Sequence, residues 1–472
     1  MPSTAFQGST STNVFVNALE WGGWHWTDGA TPGTNITYYF QGSGVSLSSL
    51  TGGVTTSANW LAYEQDAYRH ALDKWAEVAN VTFTEVFSYN QADLVENIYN
   101  GSGNLLGVHE TPEWAAAGDL TAWGAYNRNG FGWTPSGLED GGFGFVTIVH
   151  ELGHALGLAH PHDTGGGSSR FPGVTANNDT GSNDLNQGIF TVMSYIDGWP
   201  TEIGYSPSTQ YGWSAGPMAF DIAAIQALYG ANTSHNNGDT TYVLRHQAGD
   251  PDAFETIWDT GGTDSIVYGG RFAVNIDLRA ATLENEPGGG GYVSYAKGAP
   301  SSHLDHWNAF TIANGAVIEN AVGGRRSDWI SGNDADNQLE GARGNDKLFG
   351  RDGNDTLIGH RGRDTLSGGP GDDIFDFNSV AHSRPSKPDY ITDFEHGYDK
   401  VDLSSIDAKT GKAGNQTFKW IGKTKFHDKK GELHYKDLGS KVLVQGDVDG
   451  DGRADFALLI KVDTIDADDF NL

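Results

Sequence analysis

The residues best equipped for chemistry lie together at 146–161, which reads VTIVHELGHALGLAHP. Residues four apart on a helix share one face, so His150 and His154 can offer two imidazole nitrogens to a single ion, with Glu151 beside them. Gly157 can adopt the left-handed backbone that ends a helix, and the turn it allows returns His160 as a third ligand. Three neutral imidazoles leave a tetrahedral zinc ion one position for water, which marks a catalytic site and not a closed structural one. Any one of these histidines alone would read as an ordinary core or surface residue.

Positioning these side chains needs a helix from about 144 to 157, with Val146, Ile148, Val149, Leu152 and Leu156 filling the face away from the ligands. Upstream, 34–40 (TNITYYF) reads as a strand after a Thr-Pro-Gly turn. Trp60, Tyr63, Ala67, Ala71, Trp75 and Val78 recur at helical spacing, which predicts a core-covering helix over 57–80. Strands are expected at 81–86 and 92–98, so the first domain mixes α and β. TAWGAYN (121–127) alternates like an exposed edge strand, which beside a metal site can hold an extended peptide by main-chain hydrogen bonds.

At 472 residues the chain exceeds one ordinary core, and two or three domains are expected. A net charge of -31, from 60 acidic against 29 basic residues, argues against a nucleic-acid footprint, which needs a basic face, and suits cation binding. With no cysteine there is no disulfide framework, thiolate metal site or thiol nucleophile. Bound calcium can staple an extracellular protein equally well. The start, MPSTAFQGST, lacks the basic and apolar regions of an ordinary signal peptide, and no run of about 18 apolar residues offers a membrane span.

Beyond Gly230 the composition shifts to Gly, Asp and Asn, and an internal repeat emerges. Nine-residue windows run without a gap over 323–376: GGRRSDWIS, GNDADNQLE, GARGNDKLF, GRDGNDTLI, GHRGRDTLS and GGPGDDIFD. The sixth position is Asp328, Asn337, Asp346, Asp355, Asp364 or Asp373, and the eighth is Ile330, Leu339, Leu348, Leu357, Leu366 or Phe375. Tight glycine turns, a carboxylate against a hard cation and an inward apolar residue describe a calcium-binding parallel β-helix. Asn337 offers a neutral carbonyl in place of a carboxylate, and Arg326 and Ala335 replace Gly at the fourth position, so calcium is expected to be weakest at Asn337.

The spacing H-E-x-x-H-x-x-G-x-x-H, followed by Met193 in FTVMSYI (190–196), has the form of the metzincin signature with its Met-turn. With the repeats, it makes the chain resemble the serralysins, secreted bacterial zinc metalloproteases with C-terminal RTX calcium-binding repeats, over most of its length. The resemblance implies an α+β metzincin-like catalytic domain over 17–233. An all-β parallel β-helix (β-roll) and secretion-related domain would follow over 234–472, with 1–16 a pro-segment or flexible N-terminus. Tyr195 matches the Met-turn tyrosine, which in that family reaches the zinc at rest and steadies the reacting carbonyl oxygen. Residues 217–232, PMAFDIAAIQALYGAN, are similar to the helix that closes the family's catalytic domain. Phe220 stands where the family commonly has a second acid, and His162 where it commonly has Gly. A fourth ligand would close the site, so His162 is expected to be exposed or to sit behind the ligands.

The same resemblance extends to calcium. NNGDT (236–240) and WDTGGTD (258–264) are similar to the family's calcium loops, implying Gly238, Thr240, Asp259, Gly261, Gly262 and Asp264 as ligands, with Glu319 in VIEN joining them at the first repeat. Asn236 stands where Arg is usual. Within the repeats the implied set is Gly324, Asp328, Asn337, Gly344, Asp346, Gly353, Asp355, Gly362, Asp364, Gly369, Gly371 and Asp373. DVDGDGRAD (447–455) begins like an EF-hand loop but has Leu458 where the twelfth-position Glu belongs, so an unconventional calcium loop and an acidic turn both stay open.

One catalytic zinc, several structural calcium ions and protein or peptide substrates follow from the resemblance. So do a proteinaceous inhibitor and a type I secretion system as partners, an extracellular location and a monomeric state, with no nucleic acid and no membrane insertion. On this reading zinc lowers its water's pKa towards about 7. Glu151 takes the proton as the water attacks a peptide carbonyl and passes it to the leaving amine, while zinc and Tyr195 hold the oxyanion. The repeats are expected to fold after export, where calcium is millimolar. Two other classes compete. A calcium-dependent adhesion protein would carry such repeats without needing Glu151, and a non-catalytic zinc binder would need neither Glu151 nor Tyr195.

Overall fold

Two hydrophobic cores organise the chain in the computed structural model, which describes residues 3–29, 33–53, 55–203, 208–245, 253–297 and 308–472. The helix expected over 57–80 is Ala62–Val78, started by Glu64, whose carboxylate accepts the Leu61 N–H at 2.8 Å. Its buried stripe, with Tyr68, Ala71, Leu72 and Trp75, packs on the helix Phe143–Leu156, where the Trp75 indole donates to the Val149 carbonyl at 3.2 Å. A sheet beside these helices runs in the order Val81–Glu85, Thr34–Phe40, Leu94–Tyr99, Ala122–Asn127, Gly107–His109. The first four are parallel and the last is antiparallel. Gly33 enters Thr34–Phe40 with φ of 95°, while Thr31 and Pro32 of the expected turn lie outside the described residues.

This order corrects one expectation. Residues 121–127 do form a strand, Ala122–Asn127, but it lies inside the sheet, and the edge beside it is the short strand Gly107–His109. A strand of that length carries too little alternation to be seen in the sequence.

The N-terminal segment is a second correction. Strand Thr4–Gln7 pairs with Trp24–Thr27, and Asn13 caps the helix Val14–Leu19 by accepting the Phe15 and Val16 N–H groups. Phe15 is buried, stacking on Phe220 at 4.7 Å and meeting Phe171 edge-on at 4.9 Å. The described part of 1–16 is thus built into the first core, not a separable segment. Phe220, which replaces a commoner acid, fills the same aromatic cluster.

The C-terminal half is a roll of parallel strands. Successive nine-residue windows feed two facing sheets in alternation, so equivalent residues stack every second window: Ile330 on Leu348 on Leu366, and Leu339 on Leu357 on Phe375. All six eighth-position residues are fully buried. Among the described residues these sheets hold 8 and 13 strands, and the larger ends on Trp213–Ser214, contributed from before position 233. Phe254, Ala309 and Ala313 in turn enter the first core, so two cores exist but the chain does not divide cleanly at 233/234.

Phe15→Ala should destabilise the first core by about 3–5 kcal/mol, the usual cost of emptying an aromatic core site. Urea melts followed by tryptophan fluorescence measure this, and an unchanged midpoint would mean that the segment is dispensable.

Candidate functional site

The helix Phe143–Leu156 carries His150, Glu151 and His154 and ends on Gly157, whose φ of 108° is left-handed. A side chain there would meet the Trp24 carbonyl at 2.1 Å, so glycine is needed both for conformation and for room. The turn brings the His160 Nε2 to 3.2 Å from that of His150 and 2.9 Å from that of His154. These are not hydrogen bonds, because each ring's proton is committed elsewhere. His150 Nδ1 donates to the Val192 carbonyl at 2.7 Å, His154 Nδ1 to the Leu158 carbonyl at 2.8 Å and His160 Nδ1 to Asp163 at 2.7 Å. Three bare Nε2 lone pairs therefore converge, an arrangement that fits a bound metal cation. Burial holds His150 and His154 down to about 3 and His160 to about 4, keeping all three neutral. Asp163 was not legible as a partner from spacing alone.

Glu151 is buried beneath the edge strand, its side chain so close to Gly107 that a Cβ there would meet it at 2.7 Å. Burial raises its carboxyl to about 8, opposed by the charge and backbone N–H of His109. His109 is itself fully buried on Glu96 at 3.0 Å, and both lie against Gly124. Burial works against its imidazolium, but the charge and hydrogen bond of Glu96, the Glu110 carbonyl and the Glu151 charge together raise the pKa. A buried ion pair therefore underlies Glu151, a feature the sequence reading missed because Glu96 and His109 sit on different strands.

Met193 lies fully buried under the helix, and a Cβ on Gly153 would meet its sulfur at 2.5 Å. Asp221, buried at the start of the helix Ala219–Tyr229, accepts from Thr191 Oγ1 at 2.6 Å, Val192 N at 2.7 Å and Met218 N at 2.9 Å. It thereby holds Val192, the residue whose carbonyl orients His150. Tyr195 is half-exposed, with its ring 4.6 Å from that of His160 and 5.9 Å from that of His150. Burial and the charges of Glu151 and Asp163 raise its phenol to about 12, so it remains a donor. His162 stacks on His160 at 4.9 Å. His160, His162 and Asp163 also cluster, with the His162 Nδ1 buried and without a hydrogen-bond partner.

The structure brings the expected calcium residues together as well. Thr240 N donates to Asp264 Oδ1 and Asp264 N to Glu319 Oε2, both at 2.7 Å, with Gly262 packed onto Gly238 and Gly261 N donating to Asp259. In the repeats, each sixth-position carboxylate accepts the N–H of its counterpart one full turn earlier: Asp346 from Asp328, Asp355 from Asn337, Asp364 from Asp346 and Asp373 from Asp355. The other oxygen of Asp346, Asp355, Asp364 and Asp373 is buried with no protein partner, as is Oδ2 of Asp264. Gly362 and Gly371 sit where a Cβ would strike the Gly344 and Gly353 carbonyls at 1.9 and 1.8 Å, and Gly369 faces Arg351 in the same way.

Two positions depart from this pattern. Asn337 is satisfied by Asn333, whose N–H it accepts at 2.8 Å and whose side-chain oxygen it bonds at 3.0 Å. Asp328 is satisfied by the Gly324 and Val274 N–H groups. The ladder also runs past the repeats, through Asp389 and Asp399, which accept from Asp364 and Asp373. Their Asp-x-apolar form in DYI and DKV was the available signal. Asp447, Asp449 and Asp451 come together, but Asp447 already accepts the Gly450 and Gly452 N–H groups.

A family model described as Peptidase M10 serralysin C terminal matches residues 306–472. Metallopeptidase AprA of Pseudomonas marginalis is 34% identical over 446 residues, covering 89% of this chain and 83% of that protein. Serralysin of Proteus mirabilis is 37% identical over 393 residues, covering 76% and 74%. Among the described residues, no helix is long and apolar enough to cross a membrane.

Asp163→Ala should weaken metal binding by about 10–100-fold by freeing the His160 ring. A zinc competition titration with a chromogenic chelator reads this directly, and an unchanged affinity would mean that Asp163 does not orient the ligand.

Proposed function

This chain belongs to the serralysin family of metallopeptidases, and on that premise we propose that it is a zinc endopeptidase that cleaves proteins outside the cell, in which Glu151 activates the attacking water. The convergence of three bare imidazole nitrogens beside a buried carboxylate carries this reading. A non-catalytic zinc protein would have no need of the buried base, and an adhesion protein none of the cradle.

Zinc on His150, His154 and His160 would supply an acidified water and a Lewis acid for the peptide carbonyl. Glu151 takes up a proton and delivers it to the leaving amine, a dication on the adjacent imidazoles favouring its ionised form. Tyr195 donates to the oxygen on which charge develops. The edge strand Gly107–His109 would line up an extended substrate along the open edge of the sheet, the role first expected of 121–127.

Calcium is the second part of the reading. The buried, unpartnered carboxylate oxygens of Asp264, Asp346, Asp355, Asp364 and Asp373 suit hard cations, whereas Asn337 is already satisfied and supports weak binding there. Millimolar calcium outside the cell would fill such sites, so export through a type I system would precede folding of the roll. A proteinaceous inhibitor and a monomeric state belong to the same reading.

Glu151→Gln should retain zinc yet lose about 10²–10⁴-fold in casein hydrolysis, with a zinc chelator abolishing what remains in the wild type. Undiminished activity in that variant rejects the assignment. A pH dependence should follow from the roll. Without calcium, burial raises Asp346 to about 8 and Asp355, Asp364 and Asp373 to about 7, against an ordinary value of 3.8. The folded state then holds extra protons, so stability is full below that ordinary value and falls as pH rises through the shifted ones. Circular dichroism melts in EDTA should give a lower midpoint at about pH 8 than at about pH 5, and excess calcium should reverse the order. Equal midpoints in EDTA would count against buried, cation-dependent carboxylates.

A further inference from the structure

The cavity beside the histidine cradle carries information about the substrate. It encloses about 340 Å³ and reaches both His150 and Glu151. One wall is the first half of the metal helix, with Phe143 and Val146, and another is the chain that follows Met193. A side chain next to the scissile bond is therefore delivered to its mouth. Leu106, Phe143, Val146 and Val192 give it apolar walls suited to an aliphatic stem.

Asp197 is one of the polar groups on that lining, with Asn104, Thr147, Glu151 and Ser194. It is half-buried, lines the cavity and makes no hydrogen bond or ion pair among the described residues. No Lys or Arg lies among the cavity's described lining residues, and the Thr147 hydroxyl is committed to the Phe143 carbonyl at 2.9 Å. Glu151 adds a second carboxylate rather than a counter-charge. An unpartnered carboxylate against apolar walls is costly to leave uncompensated, and a cation that reaches it offsets that cost. Lysine and arginine meet both demands, with a hydrocarbon stem for the walls and a charged head for the carboxylate.

Resting on the peptidase reading above, we propose that Asp197 makes this cavity a subsite for a Lys or Arg side chain adjacent to the scissile bond, so that preferred substrates are basic at that position.

The test uses the full chain, loaded with zinc and calcium, and quenched-fluorescent peptides that differ only in one residue on either side of the cleaved bond. Lys, Arg, norleucine and Glu are compared as ratios of kcat/KM within one preparation, so the folded fraction cancels. Wild type should prefer Lys and Arg over norleucine by about 10-fold at one of the two positions, as a charge-assisted contact allows. Asp197→Asn should bring that ratio close to unity, and Asp197→Lys should shift it towards Glu. A wild-type ratio near unity at both positions, or one unaltered in Asp197→Asn, overturns the subsite while chelator-sensitive cleavage leaves the peptidase reading standing. If no peptide in the panel is cleaved in a chelator-sensitive way, the peptidase reading fails and the subsite with it.

Discussion

The destination of three imidazole protons decides whether this protein has a site at all. Each Nδ1–H donates to a different part of the fold: the Val192 carbonyl on the Met-turn, the Leu158 carbonyl just past the helix and the Asp163 carboxylate. Only then do the Nε2 lone pairs face one another. Every acceptor is itself held. Asp221 grips the Val192 N–H, Leu158 is paired with Glu20 near the end of the N-terminal helix, and Asp163 accepts the Gly165 N–H. Ligand geometry is thus a property of the whole first core, which explains why residues as distant as Phe15 and Asp221 matter to it.

The roll applies the same logic to oxygen. Asp346, Asp355, Asp364 and Asp373 each use one oxygen to accept an N–H from the turn 18 residues before it, which fixes its direction, and leave the other buried without a protein partner. Burial penalises the charge, and repetition compounds the penalty because the carboxylates face one another along the stack. A net charge of -31 is therefore a structural demand for cations as much as a solubility device. Asn337 illustrates the alternative, since a neutral amide at the same position closes its hydrogen bonds on Asn333 and makes no such demand.

Strong periodicity and exact spacing were what the sequence made legible. The cradle, the helix under Trp75, the Met-turn and the inward eighth residue of every repeat rest on local patterns, and local patterns survive folding. Relations set by tertiary pairing were not legible. Nothing local distinguishes an inner strand at Ala122–Asn127 from an edge, or announces a three-residue edge strand at Gly107–His109. Glu96 and His109 meet only because their strands flank Gly124, and Asp163 looks like any loop acid until His160 turns towards it. Residues 1–16 read as a pro-segment or flexible N-terminus because a short helix capped by Asn13 has little periodicity of its own, yet its aromatic partners come from far along the chain.

The pair formed by Glu96 and His109 raises a question of purpose, since burying two charges brings little net stability even when they meet at 3.0 Å. Its effect is better understood as geometric. His109 belongs to the edge strand of the sheet, its side chain is pinned inward by Glu96, and its N–H bears on Glu151. Two residues earlier, Gly107 lies flat on the Glu151 side chain. One three-residue strand therefore touches Glu151 and forms the edge of its sheet. A peptide that pairs with this strand is aligned by the same backbone that holds the base, so substrate register and catalytic geometry are set together.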